Sequence, residues 1–396
     1  MKTIVSIFLS LVSTVFIGGG LAFGQSDQAK GTTQTEPSRV GAYTNGDRSH
    51  PQNTLVLASL SQPQRHRSSG TLALGVRHRV PQDYATIQGA IDASTDGDTI
   101  LVSEGKYPEN IRFRGKAITV ASLYIIDGDT AHIEKTIIDG SSSIQADSGS
   151  VVSFVNGEDT TSVLCGLTIQ GGTGTRCLHH ILGIWMRAGG GVFCDAGASC
   201  LRRNIITRNR VMGALAVGGG IAAWGSPTSP LTTPCLILDS NRITDNYVRS
   251  DGSSGWWGYS GGAEVAQNQK VRIVGNLFER DSVFGVLGAQ GVGITYATSV
   301  SPQPPLSEGC IAGNIFRSNI VSGPQGAIGA GLIALWTGDV LIQHNVFEAN
   351  SAISLSGYAE GGGVLVDDHG LTGYGRKMIL KSNLDNFSAQ RACRWL

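Results

Sequence analysis

The sequence has little charge, and the charge that it has is balanced. Charged residues make up 15% of the 396-residue chain, compared with roughly 25% in an average soluble domain. Lys and Arg number 30, and so do Asp and Glu. Because there is no basic excess, nothing favours electrostatic capture of nucleic acid or of an anionic membrane surface. We therefore set nucleic-acid binding aside.

Cysteine is also scarce. The seven cysteines suit neither a dense disulfide framework nor a Cys-x-x-Cys metal site, and an odd number leaves at least one of them unpaired within a monomer. If a disulfide forms, we expect it between Cys194 and Cys200.

Residues that could bind a metal are not grouped. His179-His180 has no partner at metal-ligand spacing, so we predict no metal site. Asp96-Gly97-Asp98 and Asp127-Gly128-Asp129 carry oxygens that could coordinate calcium, but Asp-Gly is first of all a turn sequence. We therefore predict no cofactor, with calcium as an alternative that no further residue supports.

No apolar run is long enough to cross a membrane as a helix. Lys2, the apolar run from Ile4 to Ile17 and the small residues that end at Gly24 form the three parts of a secretory signal peptide. The alternative, a membrane anchor, would need roughly 20 apolar residues. We predict a signal peptide at 1–24, a secreted or cell-surface protein, and no integral membrane segment after cleavage. Residues 25–79 are polar, and we expect a disordered or loosely attached leader there.

Glycine, in contrast, is abundant and belongs to a repeat. The chain has 55 glycines, and between about residues 189 and 383 a glycine cluster, an apolar strand and an Asn-x-x-x-x-Asn motif follow one another. The clusters are Gly189-Gly190-Gly191, Gly218-Gly219-Gly220, Gly261-Gly262, Gly291-Val292-Gly293, Gly329-Ala330-Gly331 and Gly361-Gly362-Gly363. The pairs are Asn204/Asn209, Asn241/Asn246, Asn276/Asp281, Asn314/Asn319 and Asn345/Asn350, with Asn383 beginning another. Such periods mark a solenoid, in which each unit buries its apolar face against its neighbours.

The repeats also predict which side chains face inward. The residue three before each first asparagine is always apolar: Leu201, Leu238, Ile273, Ile311, Ile342 and Leu380. Strand side chains alternate, so the residue before it should face outward; these residues are Cys200, Ile237, Arg272, Cys310, Leu341 and Ile379. We expect the asparagines to end strands, where they tolerate left-handed turns, and to hydrogen-bond from coil to coil. The glycines should supply tight turns.

Every second coil is longer by several residues. The extra residues begin near Trp224, Ser299 and Asp367. Loops two coils apart would lie roughly 10 Å from each other along the axis. A row of projecting loops should therefore line one edge, where recognition residues tend to lie.

The entry to the repeats resembles a known group of families. Ile87, Ala90 and Ile91 have helical spacing, and short strands separated by turn signals follow as far as Gly140. The run YATIQGAIDASTDGDTILVSEGKYPENIRF is similar to the N-terminal cap and first coils of the pectin-methylesterase and pectin-lyase-like families. The resemblance covers roughly residues 80–140 and implies an all-β fold, a right-handed parallel β-helix (a single-stranded solenoid), with an N-terminal capping helix. Together with the repeats, it leads us to expect this fold over residues 80–390.

A second similarity concerns the repeats themselves. Paired glycines followed by NLFERD, NIFRSN or NVFEAN resemble the repeats of polymorphic outer-membrane autotransporter adhesins, which implies a β-helix at a cell surface. The last unit begins at Met378 but has Ser388 where the second asparagine is expected. We therefore predict that the solenoid is truncated at its C-terminal end.

The acidic residues do not form a catalytic pair. In the resembling enzymes, acids on the outer face of one sheet supply acid and base to a bound sugar. Here Asp195 and Glu264 fall two coils apart and at different distances from their glycine clusters. The pectin-methylesterase signatures are absent. The remaining catalytic candidates are Asp367, Asp368 and His369, which are similar to elements of polygalacturonases. The alternative is a polar loop that follows a strand.

Aromatic residues point to a binding surface. Trp256, Trp257 and Tyr259 lie on a Gly- and Ser-rich loop, where exposed rings can stack on sugar faces. Alternatively, the rings fold back onto the coil as a hydrophobic lid, and Trp224 has the same two alternatives. We predict substrate-binding roles for these four residues.

Together these features predict an exported β-helix repeat protein that binds a polysaccharide or a cell-surface partner through its lateral face and projecting loops. The first alternative is a carbohydrate-active enzyme, pectate-lyase-like or pectin-esterase-like, that acts on polyuronides or related polymers as a lyase, esterase or glycoside hydrolase. The second is a non-catalytic structural or adhesin passenger.

Overall fold

The computed structural model describes residues 75–142, 147–178, 183–225, 235–255, 257–266, 270–297, 309–335, 340–367, 378–381 and 384–386. The predicted signal peptide, most of the predicted leader and the C-terminal end after residue 386 lie outside the described residues. The same holds for the extra residues of the longer coils at 226–234, 298–308 and 368–377.

The described residues form an all-β parallel solenoid, as predicted. A full coil contributes one short strand to each of five sheets, which we number in the order in which the chain reaches them after a glycine cluster. Sheet 1 contains Ile111–Arg112, Val152–Phe154, Val192–Asp195, Ile221–Trp224, Ala263–Ala266, Ile294–Ala297, Leu332–Leu335 and Val364–Asp367. Sheet 2 contains Arg77–Val80, Thr99–Val102, Thr119–Ser122, Val163–Cys165, Cys200–Arg202, Cys235–Asp239, Lys270–Val274, Gly309–Ala312, Val340–Gln343 and Met378–Lys381.

The other three sheets complete the coil. Sheet 3 contains Gly105–Tyr107, Thr136–Asp139, Thr168–Gln170, Ile205–Thr207, Arg242–Thr244, Leu277–Glu279, Ile315–Arg317, Val346–Glu348 and Leu384–Asn386. Sheet 4 contains Arg210–Gly213, Tyr247–Ser250, Ser282–Gly285, Ile320–Ser322 and Ser351–Ile353. Sheet 5 contains Ser148–Gly149, Gly174–Leu178, Trp185–Ala188, Ala216–Val217, Gly258–Tyr259, Ala289–Gln290, Gly326–Ile328 and Tyr358–Glu360. All pairings are parallel except those of Gly174–Leu178 with its two neighbours in sheet 5. The right-handed sense stays a prediction from the crossover rule.

The predicted column of inward-facing apolar residues is confirmed. Leu201 pairs with Leu238, and the pairing continues through Ile273, Ile311 and Ile342 to the position of Leu380. The side chains from Leu201 to Ile342 are fully buried in the central core. Inside sheet 3, the rings of Phe278, Phe316 and Phe347 stack face to face, with centroids 5.0 and 4.9 Å apart. Apolar burial of stacked coils is therefore the main source of stability.

The outward column is half-buried or exposed at Ile237, Arg272, Cys310 and Leu341, as expected. Cys200 differs, because only 1% of it is exposed. It lies outside the central core, but neighbouring side chains cover it, and that of Arg202 is among those close enough to interact with the thiol.

The expected asparagine ladder is present, and there are two of them. Nδ2 of Asn204 donates to Oδ1 of Asn241 (3.1 Å) and to the carbonyl of Leu164 (2.9 Å), and the backbone N of Asn204 also donates to Asn241 Oδ1 (3.0 Å). The other asparagine rungs repeat this pattern, whereas Asp281 donates to Asn319 only through its backbone N. The first ladder is Asn204, Asn241, Asn276, Asn314 and Asn345, and the second is Asn209, Asn246, Asp281, Asn319 and Asn350. The side chains thereby satisfy backbone groups at two buried corners of the coils that these ladders join.

The left-handed turns lie one residue earlier than predicted. The asparagines have no positive φ; instead, the residue before each of them does, for example Arg203 (52°), Asp245 (60°) and His344 (55°). A non-glycine residue in this conformation costs roughly 1–2 kcal/mol. The bend turns the asparagine side chain into the interior, where its hydrogen bonds offset that cost.

The helices are few and short. They span Ile87–Ala93, Tyr124–Asp127 and Ala131–Lys135, with a 3-10 turn at Gly140–Ser142. The first begins after Thr86, whose side chain accepts a hydrogen bond from the N–H of Gly89 (3.0 Å), and it buries Ile87, Ala90 and Ile91 as predicted. Its role as a cap of the solenoid stays a prediction.

The expected disulfide is absent. Among the described residues, Cys165, Cys177, Cys194, Cys200 and Cys310 are all free thiols. Cys194 lies in the central core, where its sulfur is 3.5 Å from Oγ of Ser199, whereas Cys200 lies outside that core. One thiol thus faces the central core and the other does not, so the predicted disulfide between them was wrong.

Candidate functional site

The outer faces of sheets 5 and 1 meet at the glycine clusters. We define the outer corner by three columns whose members pair in register from coil to coil. In sheet 5 these are Ala188, Val217, Tyr259, Gln290, Ile328 and Glu360. In sheet 1 they are Phe193, Ala222, Glu264, Thr295, Ile333 and Leu365, and then Asp195, Trp224, Ala266, Ala297, Leu335 and Asp367.

An apolar cluster fills the corner at its N-terminal end. It joins residues of both sheets and is separate from the central core; its buried members are Met186, Ala188, Phe193, Leu215, Val217, Ala222 and Trp224. Phe193 and Trp224 pack edge to face, with ring centroids 5.4 Å apart. The outer faces of the two sheets therefore share one packed surface.

A second apolar cluster occupies the C-terminal part of the corner. Ile333 and Leu335 are buried there, and Ile328, Leu365 and Ala297 pack against them. The corner thus has apolar walls at both ends, and the coils between them differ in character.

Between the two clusters lies a polar segment formed by Ser260, Glu264 and Thr295. Ser260 occupies the position that Gly218 and Gly291 hold in the adjacent clusters, with the same left-handed backbone (φ 55°, compared with 62° and 65°). Its buried hydroxyl donates a hydrogen bond to Oε2 of Glu264. Glycine would adopt this conformation at less cost, and the hydrogen bond of the serine to Glu264 offsets part of that cost.

The environment of Glu264 favours the neutral carboxyl. Burial raises its pKa to about 7, although the Ser260 hydrogen bond opposes this shift. At neutral pH both protonation states are populated, so the carboxyl can donate as well as accept a hydrogen bond. A carboxyl whose pKa is perturbed in this way is a candidate for a functional group.

Thr295 is next to Glu264 in register. The hydroxyl lies close enough to favour the charged form of Glu264, yet it has no hydrogen-bond partner of normal geometry although only 2% of the residue is exposed. A buried polar group without a partner requires an explanation.

The structure places three of the predicted binding residues at or beside this corner. Trp224 and Tyr259 both pack in the N-terminal apolar cluster. Burial, and then the proximity of Glu264, raise the pKa of Tyr259. Trp257 directly precedes the sheet 5 strand Gly258–Tyr259, and Trp256 lies outside the described residues.

The rings of Trp224 and Trp257 are packed rather than free. Only 3% of Trp224 and 8% of Trp257 are exposed. The Trp257 indole lies over two glycines of the next coils: a Cβ on Gly288 would be 2.3 Å from its Cε2, and one on Gly326 would be 2.7 Å from its Cη2. The packing corresponds to the hydrophobic-lid alternative for these two rings, and their roles in binding stay a prediction.

The predicted catalytic candidates are not brought to the polar segment. Asp367 ends a sheet 1 strand and pairs with Leu335, beyond the C-terminal apolar cluster, while Asp368 and His369 lie outside the described residues. Asp195 and Glu264 are two coils apart at different offsets, as the sequence predicted. No group of three His, Cys, Asp or Glu side chains able to hold a metal occurs in the part of the chain that the structure describes.

Sequence reasoning missed Ser260 and Thr295. The signal for Ser260 was present, since it is the first residue of a cluster that otherwise begins with glycine. Glu264 was visible only as an unpaired acid, because its contact with Ser260 depends on the tight turn between them.

Comparison with protein-family models and with characterised proteins found no match for the chain. Within the described ranges, no helix has the length and apolar character needed to cross a bilayer.

Proposed function

We propose that the protein is exported and binds a polysaccharide or a glycan-bearing cell-surface component along its outer corner. The observation that carries the proposal is the polar segment of Ser260, Glu264 and Thr295 between two apolar clusters. Binding sites for sugars combine apolar or aromatic walls with a few placed polar groups. The corner runs along the solenoid axis, so neighbouring coils can contact successive units of an extended ligand.

Export is supported by the N-terminal sequence alone. The apolar run before Gly24 has the pattern of a cleaved signal. A protein that is secreted or held at a cell surface would meet polysaccharide there, which agrees with the proposed ligand.

The test is a binding screen of the full mature chain against immobilised polysaccharides. We expect binding that Glu264→Ala weakens by at least tenfold and Thr295→Val weakens by about three- to tenfold, since one hydrogen bond contributes about 0.5–1.5 kcal/mol. The matched control is Glu348→Ala on the outer face of sheet 3, which should leave binding unchanged. Equal losses in the control, or unchanged binding in both corner variants, would refute the assignment of the site.

A second candidate function is catalysis on a polysaccharide. It is favoured by the pKa of Glu264, which at about 7 suits a general acid or base. Hydrolysis by two carboxyl groups needs a second one within roughly 5–10 Å, and among the described residues of the polar segment Glu264 is the only carboxyl. Release of unsaturated, de-esterified or newly reducing products in the same screen would favour this candidate. Absence of both binding and turnover would favour a structural or adhesin passenger.

A further inference from the structure

We propose that the ligand of the outer corner is a neutral, hydroxyl-rich glycan rather than a polyuronide. The inference rests on the proposed function, and it names the ligand class for the same site. It is carried by the charge pattern of the corner and by the hydrogen-bonding groups at its centre.

The charge pattern of the corner disfavours an anionic ligand. None of the eighteen positions in the three columns is Lys or Arg, whereas Asp195, Glu264, Glu360 and Asp367 are acidic. Recognition of a uronate normally uses a guanidinium, an ammonium or a bound cation. A polyuronide along this corner would bring one carboxylate per sugar toward Glu264 without a compensating charge.

The central hydrogen-bonding groups suit a sugar hydroxyl. Such a hydroxyl both donates and accepts, and so do the neutral Glu264 carboxyl and the Thr295 hydroxyl. The Thr295 hydroxyl lies close enough to Glu264 to favour its charged form but has no hydrogen-bond partner of normal geometry, so a ligand hydroxyl bonded to it would compete only with that contact. The Ser260 hydroxyl is already committed to Glu264 and holds that carboxyl in place.

The apolar walls suit the other surface of a neutral sugar. The C–H face of a pyranose packs on rings and aliphatic side chains, and the corner offers the half-buried Tyr259 on sheet 5 beside the small residues Ala266 and Ala297 on sheet 1. At the positions that the larger Trp224 and Leu335 hold in the flanking coils, the coils of the polar segment carry the small side chains of Ala266 and Ala297. A ligand ring is therefore expected over the coils of Glu264 and Thr295.

A cationic glycan is the competing ligand, since it would pair with an ionised Glu264. The corner does not favour a cationic glycan, because burial raises the pKa of Glu264 to about 7 and so favours the neutral carboxyl. A site built for an amine would keep its carboxylate charged. The test therefore includes this class.

The experiment is calorimetric titration of the full mature chain with three probes of similar length: cello-oligosaccharides, oligogalacturonates and chitosan oligomers. Each is measured at low and at moderate salt. We expect the neutral probe to bind with little salt dependence and at least tenfold more tightly than oligogalacturonate. Glu264→Gln, which removes the charge but keeps the shape, should change the affinity for the neutral probe by less than about threefold and raise that for oligogalacturonate.

The control is Asp239→Asn, which removes one charge from the outer face of sheet 2 and should change none of these affinities. Tighter, salt-sensitive binding of the oligogalacturonate or of the chitosan oligomer would overturn the proposed ligand class. If Glu264→Gln alters that binding, the proposed glycan site would still stand. Failure of all three probes, in a chain that also binds no polysaccharide in the broader screen, would overturn the proposed function together with this inference.

Discussion

Asp281 stands where the second ladder otherwise has asparagine, and this difference leads to a quantitative prediction. Its Oδ1 accepts hydrogen bonds from the backbone N (2.8 Å) and Nδ2 (2.9 Å) of Asn246, as an asparagine would. At the equivalent position in the next coil, Nδ2 of Asn319 donates to the carbonyl of Phe278 and to Oδ1 of Asn350. In Asp281 this nitrogen is replaced by the oxygen Oδ2. That oxygen is buried and has no partner. Asp281→Asn should therefore restore a normal rung.

The stabilisation expected from Asp281→Asn depends on pH. Burial raises the pKa of Asp281 well above its ordinary value of 3.8, so the neutral acid can donate one hydrogen bond where asparagine donates two. The missing bond corresponds to about 1 kcal/mol. Above pH ~4 the unfolded chain releases the proton but the folded chain does not. The free energy of unfolding of the wild type then falls by about 1.4 kcal/mol per pH unit until the folded-state pKa is reached.

The assay is urea unfolding of both chains, followed by circular dichroism between pH 3 and pH 9. The variant should be more stable by about 1 kcal/mol at the acidic end, and the gap should widen as the pH rises. A constant gap, or a wild type that is the more stable chain at neutral pH, would refute the reasoning.

The matched control is Asp139→Asn, for which the opposite trend is expected. Burial opposes the charge of Asp139, but bonds from Lys106 (2.8 Å), Gln170 (2.9 Å) and the backbone N of Ser141 (2.9 Å) lower the pKa of Asp139 below its ordinary value. The charged form is thus favoured by folding, and its contribution is lost as the pH falls through the folded-state pKa. The control should be less stable than the wild type at neutral pH, with a gap that shrinks in acid.

Three further predictions concern single positions. Ser260→Gly removes the backbone strain of the left-handed serine but also its hydrogen bond to Glu264, so the pKa of Glu264 should rise above about 7. Carboxyl carbon chemical shifts measure this pKa, and a lower value in the variant would contradict the described contact. Phe316→Ala, in the middle of the ring stack, should lower the free energy of unfolding by about 3–5 kcal/mol, whereas Phe284→Ala on the exposed surface should change it by less than about 0.5 kcal/mol. Asn314→Ala removes two donated and two accepted bonds of the first ladder and should cost about 3 kcal/mol; a neutral effect in urea unfolding would show that the ladder is not stabilising.

The fold could be predicted because one short motif is repeated at every coil. The position of Leu201 relative to Asn204 fixes which strand face is buried, and the same offset then applies to each later coil. The role of Asn241 and its equivalents also followed from stacking. The positive φ at Arg203 could not be predicted, since nothing in an arginine favours that conformation and only the buried asparagine after it explains the bend.

The candidate site could be predicted only in part. Trp224, Trp257 and Tyr259 were recognised from their aromatic character, but burial of the two tryptophans depends on neighbours such as Phe193 and Gly288 in other coils. The pairing of Ser260 with Glu264 depends on the tight turn at the glycine cluster. Sequence spacing shows which residues share a column, but it does not show how the outer faces of sheets 5 and 1 meet.

The most direct test of the account is a crystal structure of the protein with the neutral oligosaccharide that binds it most tightly. The account predicts a sugar ring in the outer corner, with hydroxyls bonded to Glu264 and Thr295 and one face of the ring against Tyr259. An oligosaccharide bound on the outer face of sheet 2, 3 or 4, with the polar segment of the corner unoccupied, would contradict it.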